Sequence, residues 1–434
     1  MILNKNKHYT ATVEKVLPFG NGALTLEGKT ILVPNVLVGE VIRFKLIRLE
    51  KKKGIGKCIK IIKEAPERVK APCVIASRCG GCQIQHLSID GQLARKLNLL
   101  KEQLPKDTAI EIIKSENETH YRNKIQLSFQ NNKDGFVCGL NKTNSNEVID
   151  MKSCLIVNEN INEVLVSLRE WMSTLPSSTP LAHLVIRHSN KNEIMVGLIV
   201  SSSTFREKNS FVSAIKTNAN VKSILLNINP TSNETILGPT TNLLYGKETI
   251  SDTCLGLYYP ISLNTFVQNN PVMTETIYTY VGELIKPLKP TLVWDLYCGI
   301  GILTQYLAKF STTTLGVELV KESIKNATLS SKDNECKNVS FVSQDVKEFL
   351  GQTQDTPQVV VLDPPRKGCD KDVLASLIEK KIDTIVYISC SPQSLGRDSK
   401  IIIESGYTIE SVKAFDCFTH TIHVETVVCF KLAS

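Results

Sequence analysis

The sequence has few aromatic residues and no apolar run long enough to span a membrane. Of its 434 residues, 6% are aromatic and two are tryptophan, whereas a membrane-spanning helix needs about 20 consecutive apolar residues. The first ten residues, MILNKNKHYT, also lack the apolar centre of a secretory signal peptide. We therefore expect a cytoplasmic protein with no membrane partner.

The even set of cysteines that a disulfide framework would need is also missing. The chain has 13 cysteines, and the reducing cytoplasm argues against disulfides. Most of them are expected to be small buried hydrophobic residues. Cys73, Cys79 and Cys82 are different because they stand close together in CVIASRCGGC. By spacing alone, zinc and an iron–sulfur cluster are about equally compatible with such a group.

Chain length and local patterning predict three domains. A single core rarely grows beyond about 250–300 residues, and this chain is longer. Residues 1–62 contain short β-prone runs between glycine-rich turns, which favours five strands in an OB-like barrel. Residues 261–434 alternate strands with helices, which predicts a parallel, doubly wound α/β sheet. Residues 63–260 would form a mixed central domain. Its segment at about 90–120 could pack on the C-terminal domain instead.

Positive charge is concentrated in the N-terminal domain. The net charge is +8, and residues 43–63 alone contain nine Lys or Arg and one acid. Such a patch is typical of a face that binds the phosphates of RNA. The alternative is a solvated strand edge protected by lysines.

The stretch VWDLYCGIGILTQYLA predicts a strand, a glycine turn and a helix that could bind a nucleotide-like ligand. Gly299 and Gly301 would allow a ligand to approach the backbone at the start of the helix. The dinucleotide fingerprint requires a third glycine at position 304, where this chain has Thr304. A nicotinamide cofactor is therefore disfavoured, although a nicotinamide-linked dehydrogenase stays one of the alternatives.

Acidic residues stand at the ends of the next two predicted strands. Glu318 lies at the strand end in LGVEL, and Asp345 is the last residue of FVSQD. Carboxylates at these places can accept hydrogen bonds from ribose hydroxyls. Any one of them could simply cap the following helix. Together with the acid of the glycine-turn strand, they resemble the S-adenosylmethionine site of class I methyltransferases.

A cysteine and two acids at later strand ends predict covalent chemistry. Asp363 follows the strand VVVL, Cys390 follows IVYIS, and Glu425 stands where the last strand begins. Carbon 5 of a pyrimidine becomes nucleophilic when a thiolate adds to carbon 6, and a base must later remove the carbon 5 proton. This chemistry requires a cysteine of lowered pKa and a separate base.

The motifs FVQNN, DLYCGIG, DPPRKG, SCSPQSLGRD and HTIHVETVV resemble the RNA uracil-5 methyltransferases of the RlmD, RlmC and TrmA group. The resemblance implies a class I Rossmann-like catalytic domain, and VLPFGNGA and VLVGEVIRFK resemble an N-terminal TRAM domain. It implies that Cys390 is the nucleophile, Glu425 the proton acceptor and Asp363 a group that orients the uracil. The positions that would bind S-adenosylmethionine are Gln268, Tyr297, Gly299, Gly301, Glu318, Asp345 and Asp363.

The resemblance also implies a 4Fe-4S cluster, because the family pattern is C-x5-C-G-G-C with a distant fourth cysteine. The matching residues are Cys73, Cys79, Cys82 and Cys154. Together with the TRAM domain, the cluster favours RlmD-like enzymes, and we expect a monomer that methylates one uridine of 23S ribosomal RNA. The alternatives are a transfer RNA substrate, several ribosomal targets, or a non-catalytic RNA-binding or assembly factor.

Overall fold

The computed structural model describes residues 3–133, 135–143, 145–231 and 235–433. Contacts divide the chain into two units. The second unit consists of Leu100–Asn141, Asn146–Cys417 and Val424–Ser434, and the first contains the rest of the chain. None of the helices in the described ranges is long and apolar enough to cross a membrane. The division into three domains stays a prediction.

The first unit contains one six-stranded sheet, which confirms the strand-rich N-terminal region. Its spatial order is β1-β5-β6-β4-β3-β2, and its core includes the fully buried side chains of Ile31, Ile42 and Phe44. One strand more than expected is present because a two-residue strand, β2, pairs with β3. The strands are β1 (His8–Thr12), β2 (Lys15–Val16), β3 (Gly22–Leu26), β4 (Lys29–Val33), β5 (Val41–Leu49) and β6 (Lys53–Lys63).

Glu40 is a buried carboxylate that ties the end of this sheet to the chain that follows it. Its side chain is 0% exposed and accepts hydrogen bonds from the backbone N–H groups of Leu37 and Ala65, at 2.8 and 3.4 Å. Arg68 forms a two-pronged ion pair with it, with Nη2 at 2.9 Å from Oε2. Burial acts to raise the pKa of Glu40, but the hydrogen bonds and the charge of Arg68 outweigh it and lower the pKa.

The second unit begins near the end of helix α1 (Ile89–Lys101) and continues with strand β7 (Glu111–Ile113). Next comes a six-stranded sheet of order β13-β12-β11-β10-β8-β9. Its elements are β8 (Lys124–Asn132), β9 (Gly135–Gly139), α2 (Glu159–Met172), β10 (Leu181–His188), β11 (Ile194–Val200), α3 (Lys208–Ile215), β12 (Val221–Ile228) and β13 (Thr240–Gly246). The hairpin of β14 (Ile250–Cys254) and β15 (Leu257–Ile261) follows.

The predicted α/β sheet is present, with eight strands in the order β18-β17-β16-β19-β20-β22-β21-β7. Strands β16 to β20 are parallel, while β22 runs antiparallel to β20 and β21. The elements are α4 (Pro271–Ile285), a 3₁₀ turn (Lys286–Leu288), β16 (Leu292–Leu296), α5 (Ile302–Leu307), β17 (Thr313–Glu318), α6 (Lys321–Asp333), β18 (Val339–Ser343), α7 (Val346–Gln352), β19 (Val359–Leu362), α8 (Lys371–Glu379), β20 (Thr384–Ser389), α9 (Pro392–Glu404), β21 (Tyr407–Phe415) and β22 (Glu425–Leu432).

Continuous apolar runs explain why the middle strands lie at the centre of this sheet. Every residue of β19 and of β20 is buried, as expected for parallel strands that are covered on both faces. The chain adds β17 and β18 on one side of β16 and then returns to place β19 on the other. A crevice therefore opens between the carboxyl ends of β16 and β19, where ligands of doubly wound sheets bind.

We predict that Glu40→Gln destabilises the first unit by roughly 3–5 kcal/mol, because it leaves Arg68 without its buried partner. The pKa of Glu40 is lowered, so its stabilising contribution is present above the ordinary carboxyl pKa and is lost as the pH falls through the lowered value. Thermal unfolding followed against pH should therefore show that acidification lowers the melting temperature less in the variant than in the wild type. The exposed Glu64→Gln is the control, and equal stability of the two variants would contradict the prediction.

Candidate active site

The residues predicted to bind a ligand lie around the carboxyl edge of the parallel strands. Glu318 is the last residue of β17, and Asp363 and Cys390 follow β19 and β20 directly. The backbone N–H of Asp363 donates to the carbonyl of Leu296 at 3.3 Å, which ties the end of β19 to the end of β16. The sheet thus gathers at one edge residues that are far apart in the sequence.

The glycine turn after β16 has the geometry that the sequence predicts. Tyr297, Gly299 and Gly301 all adopt positive φ angles of 68°, 54° and 71°. A Cβ on Gly301 would lie 2.4 Å from the ring of Phe341, so no other residue fits there without displacing that ring. No atom lies within 4 Å of a Cβ built on Gly299, which leaves its backbone open to a ligand.

Thr304, which breaks the dinucleotide fingerprint, has a structural partner. Its hydroxyl donates to the carboxylate of Asp295 at 2.6 Å, and both side chains are buried. Burial raises the pKa of Asp295 to about 7, and the charges of Asp363 and Glu318 act in the same direction. The first residues of α5 are therefore fixed to the end of β16.

Glu318 and Asp345 both organise backbone at the edge of the site. Glu318 accepts from the N–H of Gly299 at 3.2 Å and from that of Val320 at 2.9 Å. Asp345 is the N-cap of α7 and accepts from the N–H groups of Lys347 and Glu348 at 2.9 and 3.4 Å. Capping therefore uses one oxygen of Asp345. The alternative that this residue caps the following helix is correct for that oxygen.

Gln268 lies in the segment that precedes α4. Its backbone carbonyl accepts a hydrogen bond from Nδ2 of Asn123 at 3.4 Å. The buried Asn270 caps α4 through Met273 N at 3.2 Å and donates to the carbonyl of Cys417 at 3.0 Å. The segment is thus fixed at both sides of Gln268, whose side chain is partly buried.

Strand pairing brings Cys390 and Glu425 together. Ser389, the last residue of β20, pairs with Thr426 of the antiparallel β22. The residues just beyond this pair are Cys390 on one strand and Glu425 on the other, so their side chains lie at neighbouring strand ends. Cys390 is partly buried and is followed by Ser391, the N-cap of α9. The positive end of a helix favours a nearby thiolate.

Burial and neighbouring charges shift the pKa values of Asp363, Glu425 and Cys390 at this edge of the sheet. Burial raises the pKa of Asp363 to about 8, with a further increase from Glu425, and burial raises the pKa of Glu425 to about 7, against the charge of Arg366. Burial, Glu425 and Asp363 together raise the pKa of Cys390 to about 11, while Arg366 lowers it. The expected lowered thiol pKa is therefore wrong, because burial and two neighbouring acids raise it.

A buried carboxylate, Asp398, fixes the loop that carries Arg366. Asp398 is 0% exposed and accepts from the hydroxyl of Tyr387 at 2.6 Å and from the N–H of Cys369 at 2.9 Å. Its other oxygen, Oδ1, accepts from Nε of Arg397 at 2.8 Å. Strand β20, helix α9 and the loop after β19 therefore meet at one carboxylate.

Arg397 completes this clamp from the loop side. It donates to the carbonyls of Lys367 and Cys369 at 2.8 and 3.3 Å. Gly368 has a φ of 80°, and a Cβ at this position would lie 2.4 Å from Nη2 of Arg397. Only glycine fits there, and the loop between Asp363 and Cys369 is thereby held in one conformation.

The four predicted cluster ligands do not form a metal site as the structure places them. Cys73, Cys79 and Cys82 belong to the first unit, and Cys154 belongs to the second. The Sγ atom of Cys79 accepts from the N–H of Gly81 at 3.4 Å, and burial raises the pKa of its thiol. Within the described ranges, no group of three or more His, Cys, Asp or Glu side chains is arranged to hold a metal ion.

The basic run of the first unit lies on β5 and β6, which are interior strands of their sheet. Most of its cations are exposed, and Ile47, Ile55, Ile59 and Ile62 are exposed among them. Glu50 forms ion pairs with Arg48 and Lys53. Strand β5 pairs with β1 only over residues 41–45, and β6 pairs with β4 only over residues 53–55. The rest of the run has a strand neighbour on one side only, so the alternative of a strand edge protected by lysines stays open.

Sequence reasoning gave no role to Arg366 or Asp398, and it counted Asp295 only among the three acids that resemble a methyl-donor site. The signals were present, because Asp295 lies in the glycine-turn motif, Arg366 in DPPRKG and Asp398 in SCSPQSLGRD. What the sequence lacked was the evidence that they meet the other site residues. Asp398 accepts from groups 11 and 29 positions away in the chain, and Arg366 acts through its charge on Cys390 and Glu425.

Comparisons with known proteins agree with this geometry. Residues 88–432 match the family model described as tRNA (uracil-5-)-methyltransferase. RNA methyltransferases of uncharacterised function from Halalkalibacterium halodurans and Staphylococcus epidermidis are 33% and 34% identical, each covering 99% of this chain and 98% of their own length. The crystal structure of Pyrococcus abyssi tRNA (uracil-54, C5)-methyltransferase with S-adenosyl-L-homocysteine has a TM-score of 0.78 and 25% identity, over 97% of this chain and 100% of that one.

We predict that Asp398→Asn weakens the clamp and releases the loop that carries Arg366. Losing a charged, buried hydrogen-bond acceptor costs about 1–3 kcal/mol of stability. Because Arg366 lowers the pKa of Cys390, its release should raise that pKa, and alkylation of Cys390 by iodoacetamide should require a higher pH. Site-resolved mass spectrometry measures this reaction. The control is Asp372→Asn on the exposed face of α8, and an unchanged pH profile in the Asp398 variant would refute the clamp.

Proposed function

The chain belongs to the tRNA (uracil-5-)-methyltransferase family, and we propose that it methylates carbon 5 of one uridine in 23S ribosomal RNA. It is an RNA methyltransferase, and S-adenosylmethionine is its methyl donor, as supported by the donor product bound to the Pyrococcus abyssi relative. The identity of the RNA and the roles of individual residues are the proposed part.

The adjacency of Cys390 and Glu425 across the β20–β22 pair carries the proposal. The thiolate of Cys390 adds to carbon 6 of the uracil, and carbon 5 then attacks the methyl group of the donor. Glu425 takes the proton from carbon 5, which re-forms the double bond and expels the thiolate. Asp363 orients the uracil through its imide edge. A protein that only binds RNA would need neither the thiol nor the base.

Because the pKa of Cys390 is raised, RNA binding has to favour the thiolate form of this residue. With a thiol pKa of about 11, little thiolate exists at neutral pH before the uridine enters. Asp363 has a pKa of about 8, so it is mostly protonated and can donate a hydrogen bond to a uracil carbonyl. Arg366 supplies the positive charge that favours the thiolate, and the helix N-terminus after Cys390 adds to it.

The donor would lie in the crevice at the carboxyl ends of β16 to β19. The open backbone at Gly299 and the positive-φ turn from Tyr297 to Gly301 allow its amino acid part to approach closely. Glu318 would accept from the ribose hydroxyls, and Asp345 would use the oxygen that does not cap α7. The segment with Gln268 borders the same site in the proposed arrangement.

The RNA would be held partly by the N-terminal unit, which we propose to be a TRAM domain. Its exposed basic surface on β5 and β6 suits a polyanion. A transfer RNA substrate is the second candidate, and the Pyrococcus abyssi relative favours it because that enzyme is named for uridine 54 of transfer RNA. The proposal for 23S ribosomal RNA is supported by the sequence resemblance to RlmD-like enzymes.

A 4Fe-4S cluster on Cys73, Cys79, Cys82 and Cys154 remains a proposal that is supported by the sequence motif. The placed residues do not form a metal site, and methyl transfer requires no electron from the protein. No step of the reaction is assigned to the cluster. Its chemistry, if bound, would be the crosslinking of chain segments through four thiolates.

The proposed function predicts a trapped intermediate in Glu425→Gln. Glutamine keeps the shape of the side chain but cannot accept the carbon 5 proton, so methylated RNA should stay attached to Cys390. The adduct should appear on a denaturing gel as a protein band shifted by RNA, with a methyl label from S-adenosylmethionine. The wild type should turn over on RNA from cells that lack the gene, and mass mapping of that RNA identifies the uridine.

Two controls separate the parts of this proposal. Cys390→Ala should abolish both the adduct and turnover, and the double variant should behave like Cys390→Ala. Methylation of transfer RNA alone would replace the ribosomal substrate by the second candidate. Normal turnover by Glu425→Gln would show that the base is assigned wrongly.

The cluster proposal predicts that protein purified without oxygen is brown and contains about four irons per chain. Cys79→Ser should bleach the colour and lower the iron content, whereas Cys336→Ser, outside the motif, should leave both unchanged. Metal analysis and absorption spectra measure these quantities. Colourless protein with one equivalent of zinc would replace the cluster by a zinc site.

A further inference from the structure

Two cations lie directly opposite each other on neighbouring strands of the second unit. Lys124, the first residue of β8, is the cross-strand partner of Arg187 on β10. Like charges in such a pair destabilise a sheet, because the side chains start only about 5 Å apart. A third cation, Arg122, is anchored beside them by a hydrogen bond from its Nε to the carbonyl of Lys124 at 2.8 Å.

Arg187 is buried and only partly satisfied. It is 1% exposed, and its Nη2 donates to the carbonyl of Leu263 at 3.0 Å and to that of Thr265. Its Nε and Nη1 have no hydrogen-bond partner among the described residues. Burial lowers the pKa of Arg187 only to about 10, so the guanidinium keeps its charge at neutral pH.

No acid compensates this charge. In the described part of the chain, neither Arg122, Lys124 nor Arg187 forms an ion pair with a carboxylate. Burial lowers the pKa of Lys124 to about 8, and Arg187 and Arg122 lower it further by repulsion. Burying cations without a counter-charge costs several kcal/mol, and the cost is offset when an anion binds.

The cation pair borders the segment that carries Gln268. Arg187 holds the carbonyls of Leu263 and Thr265. Asn123, next to Lys124 in the chain, donates from its backbone N–H to the carbonyl of Asn269 at 2.9 Å. The side-chain oxygens of Asn123 and Asn269 are buried without a hydrogen-bond partner among the described residues. The segment that carries Gln268 is therefore joined by hydrogen bonds to both strands of the cation pair.

We propose that Lys124 and Arg187, with Arg122 at the rim, bind a phosphodiester of the substrate RNA next to the segment 263–269. Phosphate oxygens accept from the side chains of Lys124 and Arg122. Lys124 and Arg122 are partly exposed and form the entrance, and Arg187 supplies fixed charge behind them. The site would hold the backbone of the target strand while its base reaches Cys390. This inference rests on the proposed function.

The methyl donor suits this site less well. S-adenosylmethionine has a carboxylate, but it also has an ammonium and a sulfonium, and its net charge is positive at neutral pH. Three uncompensated cations would repel it. A phosphodiester strand has only negative charge, and its binding releases counterions and depends steeply on salt.

Lys124→Met tests the site, and Lys133→Met is its control. Methionine keeps the length and apolar stem of lysine, and Lys133 is an exposed cation just beyond the other end of the same strand. Affinity for short oligouridine, measured by fluorescence anisotropy at several salt concentrations, should fall about tenfold in Lys124→Met. The slope of log affinity against log salt should decrease by about 0.7. Lys133→Met should match the wild type.

Stability separates a binding site from a structural one. Because Lys124 repels Arg187, Lys124→Met should keep or raise the melting temperature of the RNA-free protein while it weakens RNA binding. Added inorganic phosphate should stabilise the wild type more than Lys124→Met. A lower melting temperature together with weaker RNA binding would instead assign Lys124 to the fold and overturn the inference.

Two further results would overturn the inference without touching the proposed function. Equal RNA affinity of Lys124→Met and Lys133→Met would do so, provided that the wild type methylates uridine in RNA. Weaker binding of S-adenosyl-L-homocysteine by Lys124→Met at unchanged RNA affinity would assign the site to the carboxylate of the donor. Failure of the wild type to form 5-methyluridine would refute the proposed function itself.

Discussion

The antiparallel pairing of β22 with β20 brings Glu425 to the carboxyl edge of the parallel strands, although this residue begins its own strand. A parallel last strand would place its first residue at the opposite edge, and eight residues at about 3.3 Å each would separate it from Cys390. Because β22 runs in the opposite direction, its first residue lies beside the last residue of β20. Everything proposed for the thiol and its base follows from this register.

Bringing these groups together has an electrostatic cost. Asp363 and Glu425 are acids in a poorly solvated place, and their pKa values rise to about 8 and 7. The thiol of Cys390 shares that place, and its pKa rises to about 11. Such shifts are typical of sites in which groups are held for chemistry rather than for stability. Arg366, which acts against the shifts of Glu425 and Cys390, comes from a loop.

The loop is fixed because Asp398 and Arg397 bind it from helix α9. The same helix begins just after Cys390, so one element positions both the proposed nucleophile and the charge that favours its ionised form. The pair of Lys124 and Arg187 shows the same principle in the neighbouring sheet. A local rule, the separation of like charges across strands, is broken where a ligand would restore the balance.

Local patterns in the sequence determined the fold class, and together with motif resemblance they predicted the residues of the proposed site. Continuous apolar runs predict the buried strands β19 and β20, and the turn at Gly299 and Gly301 predicts the backbone opening after β16, because these features depend on neighbouring residues alone. Motif resemblance identified Cys390 and Glu425 in the same way, without any knowledge of their distance.

The tertiary structure decided the rest, since it alone brings distant segments together. Thr304 was read as the loss of a glycine, and the fold makes it the partner of Asp295. The thiol of Cys390 was expected to have a lowered pKa, and the fold raises that pKa by burying the thiol beside two acids. Arg187 and Lys124 stand 63 positions apart in the sequence, and only strand pairing makes them opposite. Charge interactions depend on distance in space and on burial, and neither quantity is written in the order of the residues.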